Sequence, residues 1–208
     1  MDSDEEQVEK LKAWLKENGL SIVLGIVIGV GGLSGYRYWV HQQEMAAEQA
    51  SQHYSKMIEA LNSSNSAVLQ EHARQLINEF SDIEYAQIAR MALAKDHVSK
   101  EEYDQARDLL QQVVGSSAQE PSAFVARTRL AAVEMQMGEL DAALASLSIE
   151  FPEAFAARVA ELKGDIYVQQ GKTAEAIYAY RVAQKSNPGP ADPEFLRQKL
   201  TDLGGGRG

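Results

Sequence analysis

Hydrophobic residues follow two different patterns along the chain. From Gly19 to Tyr36 the sequence contains 18 consecutive uncharged residues, most of them apolar. After Val40 the apolar positions recur every three or four residues among alanine, leucine, glutamate and glutamine, which is typical of amphipathic helices. Strand-like runs are almost absent from that part. The pattern therefore predicts an all-α fold, with one apolar helix near the N-terminus followed by a series of amphipathic helices.

Turn-forming residues divide the second part into helices. Glycine, proline and Asn-Ser clusters interrupt the apolar periodicity and end each helix. These interruptions are Asn62–Asn65, Gly115–Ser117, Gly138, Pro152, Gly171 and Asn187–Pro190. The predicted helices cover residues 41–62, 65–80, 83–97, 101–114, 121–137, 140–148, 153–170, 173–186 and 193–203.

The N-terminal apolar run has three readings: a cleaved signal peptide, a buried core helix or a membrane span. At about 1.5 Å per residue it extends roughly 27 Å, close to the thickness of a hydrocarbon core. A signal peptide has a shorter apolar region and a small-residue cleavage site. This run ends instead in Tyr36, Arg37, Tyr38 and Trp39, residues typical of the membrane interface. Its six glycines would weaken a helix in water more than in lipid. We predict a transmembrane signal-anchor helix over residues 19–40, with this aromatic and arginine cluster as its interface anchor.

Positive charge lies mainly before the predicted span. Lys10, Lys12 and Lys16 precede it, and only Arg37 follows it closely. Because basic residues favour the cytoplasmic side, the N-terminal segment, residues 1–18, is expected in the cytoplasm. The bulk of the chain would then be carried across the membrane. In a bacterial cell this describes a single-pass inner-membrane protein with its larger part in the periplasm.

Composition adds little to this picture. The chain has no cysteine, which is compatible with export but does not prove it. The formal net charge is −10, which gives no reason to expect nucleic-acid binding. Residues 41–203 are long enough for one domain, and residues 204–208, rich in glycine, are expected to form a flexible tail.

Glycines recur along the predicted span with the small-xxx-small spacing. Gly25 and Gly29 form one such pair, and Gly31 and Gly35 form another. At 100° per residue, Gly25, Gly29 and Gly32 fall within about 60° of one another. The stripe of Gly25, Gly29, Gly32 and Gly35 is therefore a predicted face for packing against another helix, either in a homodimer or in a different protein.

The predicted periplasmic part contains an internal repeat. Gly138–Leu147 and Gly171–Tyr180 align at a separation of 33 residues, and Lys100–Leu110 is an earlier copy. In that copy Ala106 precedes its counterpart Ala143 by 37 residues. A period of this length with helix-turn-helix punctuation predicts a tetratricopeptide-like α-solenoid of helix pairs. A generic helical bundle is the alternative, because the copies are degenerate and the earliest lacks the turn glycine.

Residues 41–80 match the repeat less well. One of their helices is expected to continue the membrane helix as a stalk, and the other to cap the first repeat.

No catalytic or metal-binding motif is evident. The four histidines have no two-histidine metal spacing on one helix turn, and no serine lies in a nucleophile elbow. We therefore predict a non-enzymatic protein without cofactors that binds other proteins through the concave surface formed by the first helices of its pairs. The predicted inward-facing residues are Ile88, Met91, Lys95, Val98, Val125, Thr128, Ala132, Met135, Gln136, Arg158, Glu161, Asp165 and Gln169. The two methionines suit a surface that accepts varied apolar segments, although core packing explains them equally well.

The order of these features resembles the YfgM family. The resemblance covers nearly the whole chain, and Arg37-Tyr38-Trp39 at the end of the glycine-striped span is its most specific part. It implies an ancillary subunit of the SecYEG translocon in Gram-negative bacteria, anchored in the inner membrane with its repeat domain in the periplasm. It also implies association with the chaperone PpiD, transfer of exported proteins to periplasmic chaperones, and a cytoplasmic role in restraining RcsB. Only residues 1–18 could reach RcsB.

Two other classes stay open on the sequence alone. One is a tetratricopeptide scaffold of another envelope assembly, such as an outer-membrane assembly or division complex. The other is an envelope enzyme with an unrecognised site.

Overall fold

A computed structural model of the protein describes residues 4–116, 121–186 and 192–204, and every regular element in these ranges is helical. The all-α prediction is thus confirmed. The helices are α1 (Asp4–Asn62), α2 (Ser66–Glu79), α3 (Glu84–Ser99), α4 (Tyr103–Ser116), α5 (Pro121–Gln136), α6 (Leu140–Ser146), α7 (Ala156–Gln169), α8 (Thr173–Lys185) and α9 (Pro193–Asp202). A short 3₁₀ turn, Glu153–Phe155, precedes α7. Residues 187–190, which include a predicted turn, and all of the predicted tail except Gly204 lie outside the described ranges.

The chain divides into two compact units, residues 1–49 and residues 50–208. In the first unit α1 contains the apolar run, and its side chains between Val23 and Trp39 are exposed. Among the described residues, α1 is the one helix long and apolar enough to cross a membrane. It continues without a break to Asn62, so the predicted helix 41–62 is a continuation of the apolar helix.

Four turns of the same geometry organise the second unit. Each contains one residue with positive φ: Ser64 (54°), Glu101 (62°), Gly138 (78°) and Gly171 (72°). In each turn the next residue donates its backbone N–H to the carbonyl five residues earlier, over 2.9 Å. This is the Schellman arrangement, which ends one helix and directs the chain back for the next. The described residues of the second unit therefore form four helix-turn-helix pairs rather than the three that the sequence repeat predicts.

The additional pair consists of residues 50–62 and α2. Met57 is fully buried, and Tyr54 stacks on Tyr85 of α3 with ring centroids 4.6 Å apart. The pairs α3–α4, α5–α6 and α7–α8 follow, and α9 packs against the last of them. Residues 50–79 thus carry the same turn as the predicted repeats. The sequence predicted their helices and the turn at Asn62–Asn65, but not that they form a further pair of the solenoid.

Hydrophobic clusters join each pair to the next one. One cluster lies among α3, α4 and α5, the next among α5, α6 and α7, and the last among α7, α8 and α9. The predicted packing positions are all buried in these clusters: Ala106, Leu110, Ala131, Ala143, Leu147, Ala176 and Tyr180. Because the described pairs stack on one another in chain order, the second unit has the architecture of a solenoid.

Asp96 is a buried polar link between α2 and α3. It accepts hydrogen bonds from Ser66 (2.9 Å), Gln70 (3.1 Å) and Lys100 (2.8 Å). Burial alone would raise the pKa of Asp96, but these bonds outweigh burial and keep the pKa below its usual value. The charged carboxylate therefore holds the additional pair to the repeat that follows it.

Candidate functional site

An open groove of about 500 Å³ lies where α3, α4 and α5 meet. The first helices of successive pairs, α3 and α5, contact each other and form its two sides, and α4 contributes to its floor. The lining residues are Met91, Ala94, Lys95, Val98, Tyr103, Leu110, Arg129, Ala132, Val133 and Gln136. The volume is within the range of ligand-binding pockets, about 300–1,000 Å³.

Helical spacing explains why these residues share one groove. Met91, Lys95 and Val98 follow one another at intervals of four and three on α3. Residues at such intervals lie on the same face of a helix. Arg129 and Gln136 occupy a corresponding face of α5. The hydrophobic cluster beneath the groove fixes the two faces relative to each other.

The groove combines an apolar floor with two positive charges. Met91 and Leu110 are at most 8% exposed, whereas Lys95 and Arg129 are exposed. No aspartate or glutamate lines the groove, and neither cation has an ion-pair or hydrogen-bond partner within the described parts of the chain. Burial lowers the pKa of Arg129, but a guanidinium remains charged in proteins.

The predicted concave residues of α3 and α5 occupy different environments. Met91 and Lys95 line the groove. Thr128 is buried, and its hydroxyl donates a hydrogen bond to the backbone carbonyl of Val125 at 2.9 Å. Met135 packs against the cluster among α5, α6 and α7, so the structure places it with the core.

The predicted charged residues of α7 have partners within the chain. Lys199 of α9 places its Nζ 2.9 Å from Glu161 Oε1 and 2.8 Å from Asp165 Oδ1. Tyr180 donates its hydroxyl to Asp165 Oδ1 at 2.6 Å, and burial together with this bond raises the pKa of Tyr180. The remaining predicted residues, Arg158 and Gln169, are exposed. The carboxylates are therefore engaged in holding α9.

Sequence reasoning missed several residues that line the groove. Arg129 lies four residues after Val125 and three before Ala132, so its position on the predicted face was readable from the helical period. Tyr103 and Leu110 belong to α4, the second helix of its pair. A rule that considers only the first helices cannot find them.

The described residues leave open space around the glycines of the predicted packing stripe. A Cβ added to Gly25, Gly29, Gly32 or Gly35 would meet no atom within 4 Å. Tyr36, Arg37, Tyr38 and Trp39, the predicted interface residues, are all exposed. The ring centroids of Tyr36 and Trp39 lie 6.3 Å apart, and Gln42 donates a hydrogen bond to the Tyr38 hydroxyl.

The histidines lie in separate places in the described ranges, apart from one facing pair. No group of three or more His, Asp or Glu side chains in the described ranges is arranged to hold a metal ion. His53 and His72 face each other with their Nδ1 atoms 3.1 Å apart, and His97 contacts Glu102 at 2.6 Å.

Helix pairs joined by identical turns, stacked through shared clusters and bearing an open groove, define a tetratricopeptide-like solenoid. A solved tetratricopeptide repeat protein from Parabacteroides merdae has this fold, with a TM-score of 0.56 and 14% sequence identity. The match covers 76% of this chain and 58% of that one.

Sequence comparison identifies the family within this class. The tetratricopeptide repeat-like domain family matches residues 12–205. The chain is 34% identical to a protein of Haemophilus influenzae over 96% of its length and 97% of the relative's. It is 31% identical to a protein of Escherichia coli, over 97% of both chains. Both relatives are named ancillary SecYEG translocon subunit. The chain therefore belongs to the family of tetratricopeptide-like proteins that includes these two relatives, as its resemblance to the YfgM family predicted.

Proposed function

We propose that this protein is a non-enzymatic adaptor of the bacterial inner membrane that associates with the SecYEG translocon. The observation that carries the proposal is the full-length similarity to two proteins named as ancillary subunits of that translocon. The similarity includes the apolar helix as well as the repeats, because the matches cover at least 96% of the chain.

The apolar helix would serve as the anchor. The lysines that precede it favour a cytoplasmic N-terminus and a periplasmic repeat domain. The stripe of Gly25, Gly29, Gly32 and Gly35 would be the face on which a helix of the translocon packs, since an approaching helix would find no side chain there.

The repeat domain would bind polypeptides that emerge from the translocon, or the chaperones that receive them, such as PpiD. Anchoring the groove beside the channel raises its effective concentration near the emerging chain, so that moderate affinity suffices. A cytoplasmic role toward RcsB would depend on residues 1–18, the part predicted on that side of the membrane.

The test is isolation of the full-length protein from membranes in mild detergent, with its partners identified by mass spectrometry. One variant carries leucine at Gly25, Gly29 and Gly32. The matched control carries leucine at Val30 and Ser34, which lie about 100° or more around the helix from every glycine of the stripe.

We expect translocon subunits and a periplasmic chaperone to accompany the native protein and the control. The stripe variant should lose the translocon subunits. Recovery of an outer-membrane assembly or division complex instead of the translocon would refute the proposal and favour the scaffold alternative.

A further inference from the structure

The groove among α3, α4 and α5 contains two cations that have no counter-charge among the residues the structure describes. Two half-buried cations elsewhere in the second unit have carboxylate partners: Arg107 lies 2.7 Å from Asp104, and Lys199 lies 2.8 Å from Asp165. Lys95 and Arg129 have no such partner within the described residues. A counter-charge for Lys95 and Arg129 would therefore have to come from a bound ligand.

Desolvation makes the charge at Arg129 receptive to an anion. Part of its guanidinium hydration is lost in the groove, as the lowered pKa of this residue reflects. A partly dehydrated cation without a partner gains more from an incoming carboxylate than a fully hydrated cation does. Lys95, on the opposite side of the groove, provides a second charge of the same sign.

The floor of the groove is apolar, whereas its rim is charged. Met91, Ala94, Leu110 and Val133 are at most 8% exposed and present apolar atoms to the open volume. Methionine adapts to side chains of various shapes because it is flexible and polarisable. An apolar side chain of the ligand would therefore occupy the floor while its acidic neighbours reach the rim.

From these observations we infer that the groove binds an extended polypeptide segment in which a large apolar side chain is flanked by aspartate or glutamate. Lys95 and Arg129 are the residues that select the carboxylates. This inference rests on the proposed function, since it specifies which segments an adaptor beside the translocon would take.

The test measures binding of fluorescein-labelled peptides to the full-length protein in nanodiscs of zwitterionic lipid, by fluorescence anisotropy. The first peptide has a Leu-Phe pair flanked by Asp and Glu. In the second the acids are replaced by Asn and Gln, and in the third Leu-Phe is replaced by Ser-Ser.

Two double variants locate the site. Lys95→Gln with Arg129→Gln removes the groove cations. Arg74→Gln with Lys185→Gln removes two exposed cations from α2 and α8 and gives the same net charge. Circular dichroism verifies that both variants fold.

We expect the acidic apolar peptide to bind at least about tenfold more tightly than either other peptide, as charge-assisted contacts and apolar burial together require. The groove variant should reduce its affinity to that of the amide peptide, and the control variant should leave it unchanged. Equal binding of the acidic and amide peptides, equal loss in both variants, or no peptide binding would each overturn the inference.

A separate measurement tests the proposed function. The groove variant is isolated from membranes in parallel, and its content of translocon subunits is compared with that of the native protein. Translocon association without peptide selectivity would refute the groove assignment alone, whereas loss of the translocon from the native protein's isolate would refute the proposed function.

Discussion

Replacing Gly164 by alanine tests the close contact between α7 and α8. Gly164 lies in the interior of α7, directly beneath the ring of Tyr180. A Cβ built on Gly164 would overlap the ring carbons Cε1 and Cδ1 of Tyr180. The ring has little freedom to move, because Tyr180 is 2% exposed and its hydroxyl is bonded to Asp165. We therefore expect alanine to force the two helices apart.

Two opposing effects determine the size of this change. Alanine is favoured over glycine in a helix interior by about 1 kcal/mol. Overpacking of a well-filled core costs about 1–3 kcal/mol. Because the clash involves ring atoms rather than the end of a flexible chain, we expect the upper part of that range and a net loss of about 1–2 kcal/mol. At roughly 2–4 °C per kcal/mol for a domain of this size, the Tm should fall by roughly 2–8 °C.

Gly115→Ala is the matched control. Gly115 also lies in a helix, α4, but a Cβ added there meets nothing within 4 Å. Only the helix preference then acts, so this variant should be as stable as the native protein or more stable by up to about 1 kcal/mol. The two glycine-to-alanine changes are thus expected to shift stability in opposite directions.

Thermal unfolding followed by circular dichroism at 222 nm, with every variant in the same detergent, measures both effects. Tyr180→Leu provides an internal check, because removing the ring should reduce the cost of Gly164→Ala in the double variant. A Gly164→Ala protein that melts at or above the native temperature would show that Tyr180 does not close over the helix as described.

Three further predictions concern single residues. Glu101→Gly should stabilise the protein by about 1 kcal/mol, because glycine relieves the positive φ, and urea unfolding measures the change. Burial raises the pKa of Glu134 in the folded protein. Its carboxylate therefore ionises more readily in the unfolded chain, and stability falls as the pH rises from the pKa of the unfolded state through that of the folded state. Glu134→Gln should therefore stabilise the protein at pH 7.5 and lose this advantage toward pH 4. Urea unfolding at both pH values measures the difference in unfolding free energy between variant and native protein, and an equal difference at the two pH values would contradict the prediction. Lys199→Met leaves Glu161 and Asp165 without their cation and should cost about 1–3 kcal/mol, with hydrogen exchange accelerated in α9 first.

The sequence predicted the repeats best where a special backbone conformation requires glycine. Gly138 and Gly171 mark two turns because glycine accepts positive φ without strain. Ser64 and Glu101 adopt the same conformation at the two earlier turns, with the strain offset by the hydrogen bonds of the turn. The turn of the first pair, at Asn62–Asn65, was predicted, but it has serine and not glycine at the positive-φ position, so the pair was not predicted as a repeat.

The groove was only half predictable for a similar reason. The helical period places Lys95 and Arg129 on inward faces, and this follows from spacing alone. The engagement of Asp165 by Lys199 depends on a residue 34 positions away. No local pattern shows that α9 supplies a partner to α7, so the charged end of the predicted surface looked available in the sequence.

The charged residues at the two ends of the predicted concave surface differ in whether they have partners within the described chain. α9 neutralises the carboxylates of α7, whereas nothing described in the chain neutralises Lys95 and Arg129. The whole chain carries a formal net charge of −10, which repels acidic polypeptides at long range. Salt screens that repulsion beyond about 8 Å, but it screens a contact inside a partly dehydrated groove much less. Selection of acidic, apolar segments would therefore act only at contact. Raising the ionic strength should remove the barrier to approach and accelerate dissociation only slightly. An adaptor held beside a channel gains from this arrangement, because tethering supplies the encounters that long-range attraction would otherwise have to provide.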